Sequence, residues 1–252
     1  MEKAWHTHKG RVRDYNEDSV GLFQSDEGVP IAVVADGMGG HQAGDVASQS
    51  VVRVIKRKLR SLTRETGSDE RQKRTLDAVA SANREVFHMA AENKGYKGMG
   101  TTVIAAVMGE EEIVLAHIGD SRAYLLHDDG LYQLTEDHSL VNVLKKHGEI
   151  TEEEAKVHPQ RNVIVRAVGT NEEVEADLIV TPWYKGDTLL LCSDGLYNMV
   201  GVDEIGTILT SGLPLQKQAD QLLEQALEAG GTDNISIILI KHTGSITSTK
   251  QK

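Results

Sequence analysis

Several carboxylates in the sequence stand where an apolar run meets a turn. Asp36 follows IAVVA, Asp120 follows IVLAHIG and Asp194 follows TLLLCS, while Asp18 and Asp233 stand just before such runs. Any one of them is most simply a turn former or a helix cap. Taken together they indicate metal chemistry, because clustered carboxylates repel one another unless cations lie among them. Hard oxygen ligands of this kind select Mg²⁺ or Mn²⁺.

A glycine-rich turn follows Asp36 in the stretch IAVVADGMGGHQAGDVAS, residues 31–48. Such turns often bind phosphate through backbone N–H groups, but a carboxylate at the start of the turn would repel a phosphate. A metal ion between the two removes this conflict. The glycines then let the backbone come close to the ion, and the carbonyl of Gly37 is a candidate ligand.

Other phosphate and metal motifs are absent from the sequence. No Lys-Ser/Thr pair follows a Walker-type glycine loop, and no Gly-x-Gly-x-x-Gly follows Asp36. Cys192 has Asn198 rather than an arginine six residues later, so it does not begin a cysteine phosphatase loop and is expected to be a buried strand residue. Neither an EF-hand loop nor a His-Glu-x-x-His zinc pattern occurs.

The composition limits which kinds of ligand the protein can bind and in which cellular compartment it is expected. The 252 residues carry a net charge of -11, which argues against nucleic acid as a ligand. The single cysteine fits a reducing compartment, and the sequence shows neither a signal peptide nor an apolar run long enough to span a bilayer. We therefore expect a cytoplasmic protein without a membrane span.

Short β-branched or alternating runs predict strands in adjacent blocks, and helical patterns come in pairs between them. The predicted strands are SVGLFQ, PIAVVAD, TTVIAAVMG, EIVLAHIGD, AYLLHDDGLYQLT, EVEADLIV, DTLLLCSD and NISIILIKH. The helical patterns cover residues 43–62, 70–93, 202–212 and 215–231. Blocks of strands with paired helices favour an α+β fold with antiparallel sheets over an alternating parallel fold.

The same patterns predict one domain over residues 1–242 and a polar tail over residues 243–252. Within the domain, the segment 137–162 is more polar and contains one short helical pattern, SLVNVLKKHG. We expect this segment to be a flap-like excursion from the sheets, of the kind that controls access to a site.

Seven motifs occur in a fixed order: GRVRDYNEDS, VVADGMGGHQAGDVAS, GMGTTVIA, AHIGDSRAYLL, LTEDHSLV, LLLCSDGLYN and GGTDNISIILI. In this order they resemble the bacterial branch of the metal-dependent type 2C (PPM-like) Ser/Thr protein phosphatases. The resemblance runs from about His6 to Ile240. It implies a four-layer αββα fold, with a central sandwich of two antiparallel sheets, flanking helix pairs and a metal site at one end.

The resemblance also implies roles for the acids, position by position. Asp36 would bridge two Mn²⁺ or Mg²⁺ ions, and a hydroxide held between the ions would attack phosphorus. The other implied ligands of these two core ions are Asp194 and Asp233 directly, Glu17 and Asp18 mainly through metal-held water, and the Gly37 carbonyl. Asp120 would hold a third ion together with Asp194.

Arg13, separated by two residues from the NED of its motif, matches the arginine that binds the substrate phosphate. A planar guanidinium suits two phosphate oxygens, although Arg13 could also be an ordinary surface arginine beside Arg11. One position departs from the family, because Met38 stands where many animal members have a histidine that is proposed to protonate the leaving group. His41 or a metal-bound water could take this role, and His41 could equally be a surface turn residue.

The implied function is hydrolysis of phosphoserine and phosphothreonine in proteins, opposing a cognate bacterial Ser/Thr kinase. We expect a monomer whose partners are phosphorylated proteins. Two alternatives remain at this point. One is a non-catalytic binding module, which would usually have lost a metal-binding acid. The other is a metallophosphatase for small phosphoesters or one regulatory partner, which would differ in the surface around residues 137–162.

Overall fold

Two antiparallel sheets and seven helices make up the part of the protein that the computed structural model describes, residues 1–39 and 43–244. The strands are β1 (Glu2–His8), β2 (Asp18–Gln24), β3 (Pro30–Met38), β4 (Gly100–Thr101), β5 (Val103–Met108), β6 (Glu112–Ile118), β7 (Arg122–His127), β8 (Gly130–Gln133), β9 (Asp177–Pro182), β10 (Thr188–Cys192) and β11 (Ile235–Lys241). The helices are α1 (Ala43–Leu59), α2 (Ser68–Glu92), α3 (Leu140–Lys146), α4 (Glu152–Val157), α5 (Asp194–Tyr197), α6 (Val202–Leu209) and α7 (Leu215–Glu228).

The strands form one sheet in the order β1-β11-β10-β7-β8 and another in the order β2-β3-β5-β6-β9, with β4 paired to β3. Strand β5 shows how the layers stack, because both of its faces are buried. Ile104 and Ala106 face the core between the sheets, whereas Val103, Ala105 and Val107 face the core under the helices.

Helices α1 and α2 cover the six-stranded sheet, and α6 and α7 cover the five-stranded sheet. The predicted α+β fold, a central antiparallel sandwich between helix layers, is therefore confirmed. Among the described residues, no helix combines the length and apolar composition that a membrane span requires.

Three elements have no counterpart in the patterns read from the sequence, and a fourth begins later than predicted. Strand β1 is mostly polar, with Ala4 and Trp5 as its apolar residues, but it pairs along its whole length with β11. Helix α4 has no apolar repeat that would have predicted it, and its start is fixed by a capping box of Thr151 and Glu154. The one-turn helix α5 begins at Asp194, where the run TLLLCSD predicted only a strand end. Strand β9 begins at Asp177, later than the run EVEADLIV predicted.

Helices α3 and α4 lie in the segment 137–162 that the sequence set apart as an excursion. Ser139 N-caps α3 and also bridges to Ile164, so the two ends of this segment meet. The backbone N–H of Leu140 donates to the carbonyl of Val163 at 2.8 Å, and that of Val165 donates to the carbonyl of His138 at 2.9 Å. These bonds join the start and the end of the excursion into a neck, defined here as residues 138–140 and 163–165.

Candidate metal centre

Asp18 and Asp36 are neighbours because β2 and β3 pair in a register that sets them directly opposite each other. Asp18 opens β2, and Asp36 lies near the end of β3. The backbone N–H of Asp36 donates to the Thr102 hydroxyl at 2.9 Å, and the Thr101 hydroxyl donates to the carbonyl of Asp36 at 2.9 Å. The backbone that carries Asp36 is therefore held on both sides.

Asp194 and Asp233 come from the other sheet. Strand β10 ends at Cys192 and β11 begins at Ile235, and these two strands pair, so the residues beyond their ends lie together. A side chain at Gly195 would overlap the carbonyl oxygen of Asn234, which shows how closely the two loops approach. The Ser193 hydroxyl donates to Asp18 Oδ2 at 2.7 Å and so connects the acids of the two sheets.

Asn234 ties the N-terminal loop to the same edge. Its Oδ1 accepts from the backbone N–H of Glu17 at 2.7 Å, and its amide donates to the carbonyls of Lys9 and Tyr15 at 3.0 and 2.9 Å. The Glu17 carbonyl accepts in turn from the backbone N–H of Gly37 at 3.1 Å. Glu17 is thus placed beside the turn that follows Asp36.

The glycines of that turn are needed for close packing. A side chain at Gly37 would overlap the carbonyl oxygen of Gly44, and a Cβ at Gly44 would lie 2.5 Å from Glu17 Oε1. Backbone and carboxylate come together here because neither glycine has a side chain. The Gly37 carbonyl, which the sequence predicts as a ligand, lies in this crowded region.

The acids behave as one electrostatic cluster. Burial raises the pKa of Asp36 well above its ordinary value, and the nearby Asp18 and Asp194 raise it further. Burial also raises the pKa of Asp194, with contributions from Asp120 and Asp233. The pKa of Asp18 rises to about 6, mainly through burial, and the pKa of Glu17 is raised for the same reason. Protons or cations must therefore balance the charge.

A divalent metal fits these residues better than protons do. Glu17 Oε1 and Asp18 Oδ1 are buried and have no hydrogen-bond partner among the described residues. A buried carboxylate oxygen without a donor costs free energy unless another group neutralises it. Carboxylate oxygens from several elements, together with backbone carbonyls, are the donor set that Mg²⁺ and Mn²⁺ prefer.

Asp120 is also buried, on the loop between β6 and β7. Burial raises the pKa of its carboxyl to about 7, and the neighbouring Asp137 contributes. Its carbonyl accepts a hydrogen bond of 2.9 Å from the Tyr197 hydroxyl, at the end of the helix that Asp194 begins. The structure therefore brings Asp120 and Asp194 to the same end of the sandwich.

Arg13 is directed at the cluster although half of its side chain is exposed. Its Nη2 donates to Asp233 Oδ2 at 2.7 Å. Surface arginines often pair with carboxylates, so this contact alone fits both interpretations of Arg13. It does place the guanidinium next to a candidate metal ligand, where a phosphate ligand would have to lie.

Two further predictions concern proton donors. His41 lies outside the described residues. Met38 ends β3 beside this region, as the sequence indicated, and offers no proton. His117, taken from the sequence as a structural residue at a strand end, is fully buried near the end of β6.

Sequence reasoning missed the polar residues that hold the acids in place. The most important are Thr102, Ser193 and Asn234, which bond to Asp36, Asp18 and Glu17 respectively. A signal was present, because each lies inside one of the quoted motifs, and the last two stand next to a predicted ligand. Composition alone does not separate such residues from ordinary turn formers.

Fold and site together define a class, the divalent-metal enzymes built on an αββα sandwich whose two sheets supply carboxylates to one edge. The family model for protein phosphatase 2C matches residues 5–232. This chain belongs to that family.

Individual relatives agree with the family. The serine/threonine phosphatase stp of Listeria innocua is 43% identical over 241 residues, which are 96% of each chain. The solved serine/threonine phosphatase of S. agalactiae superposes with a TM-score of 0.89 at 38% identity, covering 94% of this chain and 98% of that one. The catalytic domain of the phosphatase PstP, solved in complex with 2 manganese ions, superposes with a TM-score of 0.83 at 36% identity, covering 94% and 96%.

Proposed function

We propose that this protein hydrolyses phosphoserine and phosphothreonine in other proteins, using a metal centre built on Asp36. It is a metal-dependent serine/threonine protein phosphatase of the 2C family. The observation that carries the assignment is the cluster of acids from both sheets, with Arg13 beside it. Buried oxygens of Glu17 and Asp18 in this cluster have no hydrogen-bond partner within residues 1–39 and 43–244. This set combines cation ligands with a phosphate ligand.

In the proposed centre, Asp36 bridges two ions, with Asp194, Asp233 and the Gly37 carbonyl as further direct ligands. Glu17 and Asp18 act mainly through water. When bound, Mn²⁺ or Mg²⁺ supplies the acidity that makes water nucleophilic at neutral pH. The protein contributes the fixed positions of these oxygens, because the Thr102, Ser193 and Asn234 hydrogen bonds restrict the backbone and side chains that carry them.

Arg13 orients the substrate phosphate. The guanidinium already lies at the edge of the acid cluster, so a phosphate held there faces the metal ligands. Its planar donors match two phosphate oxygens and keep their charge at any physiological pH. His41 is the proposed donor of the proton to the leaving alkoxide, since Met38 cannot donate one.

The assignment is tested by measuring phosphate release from a phosphothreonine peptide with Mn²⁺, and then with EDTA. We expect turnover with Mn²⁺ and none with the chelator. A free aryl phosphate serves as the comparison substrate. Turnover of the aryl phosphate without the peptide would indicate a small-molecule phosphatase, and binding of the peptide without turnover would indicate a non-catalytic module.

We expect Arg13→Lys to raise KM for the phosphopeptide about tenfold, because an ammonium cannot make the paired contact, and one charged hydrogen bond is worth about 1.5–3 kcal/mol. The change in kcat should be smaller. Steady-state kinetics on the peptide measure both. Arg11→Lys, two residues away, is the matched control and should leave KM unchanged. Equal kinetics of the two variants would return Arg13 to the surface-arginine interpretation.

We also propose a third, weaker ion held by Asp120 and Asp194. Asp120→Ala should lower kcat and remove one Mn²⁺ from the binding stoichiometry while the two core ions remain. Calorimetric titration of Mn²⁺ into wild type and variant measures this difference. An unchanged number of sites would mean that Asp120 serves only the turn into β7.

The remaining proposals concern organisation. Residues 1–242 form one catalytic domain in which the excursion at 137–162 controls access to the centre, and residues 243–252 are a polar tail. The protein acts as a cytoplasmic monomer that opposes a cognate bacterial Ser/Thr kinase. The metal used in the cell is Mn²⁺ or Mg²⁺.

A further inference from the structure

Three side chains of the kind that bind metals lie together behind the Asp120 loop: His117, His138 and Asp177. Their potential ligand atoms lie within 4.8 Å of one another. The hydrogen bonds oppose a cation there. Arg166 Nη1 lies 2.7 Å from Asp177 Oδ1 and 3.2 Å from His138 Nε2, so a positive charge already occupies this position. The cluster needs another explanation.

The tautomer of His138 follows from its partners. The backbone N–H of Gly119 donates to His138 Nδ1 at 3.1 Å, and a backbone N–H can only donate. Nδ1 is therefore the acceptor, and the ring proton is on Nε2, which donates to Asp177 Oδ2 at 3.1 Å. Arg166 Nη1 lies 3.2 Å from this nitrogen but donates to Asp177 and not to His138, because both of the facing groups are donors. Asp177, held by Arg166, orients the ring, and His138 in turn holds Gly119.

Gly119 and His138 are bonded in both directions. The backbone N–H of His138 also donates to the Gly119 carbonyl, at 2.8 Å. Gly119 has φ of +112°, and a Cβ there would lie 2.6 Å from Thr102 Cβ, so its backbone has little room to move. The next residue is Asp120. The His138 ring thus holds the Ile118–Gly119 peptide, and the His138 backbone N–H holds the Gly119 carbonyl that leads into this acid. On the other side of Asp120, its own carbonyl is held by Tyr197.

The His117 ring packs against the His138 ring. The ring centroids are 4.9 Å apart, and both ring nitrogens of His117 are buried without a hydrogen-bond partner among the described residues. Burial lowers the pKa of His117 to about 3. A neutral ring packs against His138 without placing a second charge beside Arg166.

His138 also belongs to the neck of the excursion. Its carbonyl accepts from the backbone N–H of Val165, and the preceding residue, Asp137, is bonded by Arg122 Nη2 at 2.6 Å. Arg122 stacks on the Tyr197 ring, with its guanidinium carbon 3.7 Å from the centroid. His138 therefore belongs to the neck and at the same time bonds the loop that carries Asp120.

We propose that His138 is a positioning residue whose Nδ1 holds the Ile118–Gly119 peptide, one residue before Asp120, and thereby connects the neck of the excursion to the binding of the third ion. The inference rests on the proposed function, in which Asp120 holds that ion. His138 itself touches neither substrate nor metal.

Two substitutions separate the two ring nitrogens. In His138→Asn the amide oxygen can take the place of Nδ1 and still accept from Gly119, whereas in His138→Gln the amide reaches the Nε2 position and leaves the Gly119 N–H without its acceptor. Mn²⁺ calorimetry and hydrogen exchange of the Gly119 amide are measured on the full-length variants. Neither readout depends on turnover.

We expect His138→Gln to weaken the weakest Mn²⁺ site about tenfold or more, as loss of an outer-shell contact does, and to speed exchange at Gly119. His138→Asn should stay near wild type in both measurements, and both variants should keep the affinity of the two core ions. Excess Mn²⁺ should restore kcat of His138→Gln, which a general loss of folding would not allow.

Equal behaviour of the Asn and Gln variants, or a wild-type third site in His138→Gln, overturns the proposal. If wild type itself binds only two ions, the third ion fails, and Gly119 exchange still decides whether His138 holds the peptide. Should His138→Gln not fold, Asp177→Ala makes the same test, since Asp177 lies on edge strand β9 with its side chain 41% exposed. It should weaken the same site, and an unchanged site would again contradict the proposal.

Discussion

Asp36→Asn is expected to lower turnover of a phosphothreonine peptide at least about a hundredfold, the usual cost of removing one group that stabilises charge in an active site. Asp36 lies opposite Asp18 on the paired strands and is the proposed bridge between two ions. An amide offers one neutral oxygen in place of two charged ones. The variant should therefore bind fewer Mn²⁺ ions, which calorimetry will count.

The same variant should be more stable than wild type when both are held in EDTA. Burial and the neighbouring Asp18 and Asp194 disfavour the charged form of the Asp36 carboxyl. Replacing this carboxyl with a neutral amide therefore removes an unfavourable charge that the folded protein keeps for its activity. Thermal unfolding will show this as a higher Tm, by about 2–4 °C for each kcal/mol. Asp203→Asn, exposed on α6, is the matched control for both measurements. Full activity in Asp36→Asn would refute the bridging role.

The chelated protein should lose stability as pH rises from about 6.5 to about 7.5, through the folded-state pKa of Asp120. Asp120 titrates near pKa 7 in the folded protein, and the pKa values of Asp36 and Asp194 are raised well above the ordinary value of about 4. A raised carboxyl pKa means that the folded state binds more protons, so stability falls as these protons are lost. One fully titrating group contributes about 1.4 kcal/mol per pH unit.

The lower end of this pH range is set by His117, whose titration opposes that of the acids at lower pH. Its pKa is lowered to about 3, so it gives the opposite slope up to the ordinary histidine value of about 6.5. Saturating Mn²⁺ should flatten the profile, because the ions then replace the protons. His127, whose pKa is raised by Asp187, contributes equally with and without metal, so the difference between the two curves isolates the acid cluster. A chelated Tm that rises with pH across this window would contradict the prediction.

Much of the architecture could be predicted because burial imposes periodicity. Strand β5 alternates between two cores, and the run VIAAVM is apolar throughout for that reason. The position of Asp36 at the end of such a run marked it as a residue at the rim of the core. The order of the seven motifs indicated the family, which the comparisons confirm, and with it the four-layer arrangement of sheets and helices.

The sequence by itself determined the fold class, the acids and their kind of chemistry, because these depend on local composition and spacing. Only the tertiary structure decided which acids meet. The register of β2 on β3 sets Asp18 against Asp36, and the Ser193 hydroxyl then joins Asp18 to the other sheet. Strand β1 could not be predicted from the sequence, because its pairing with β11 is made by backbone groups that every residue type except proline offers. The contact of His138 with Gly119 likewise joins residues whose closeness depends on how the chain folds back between them.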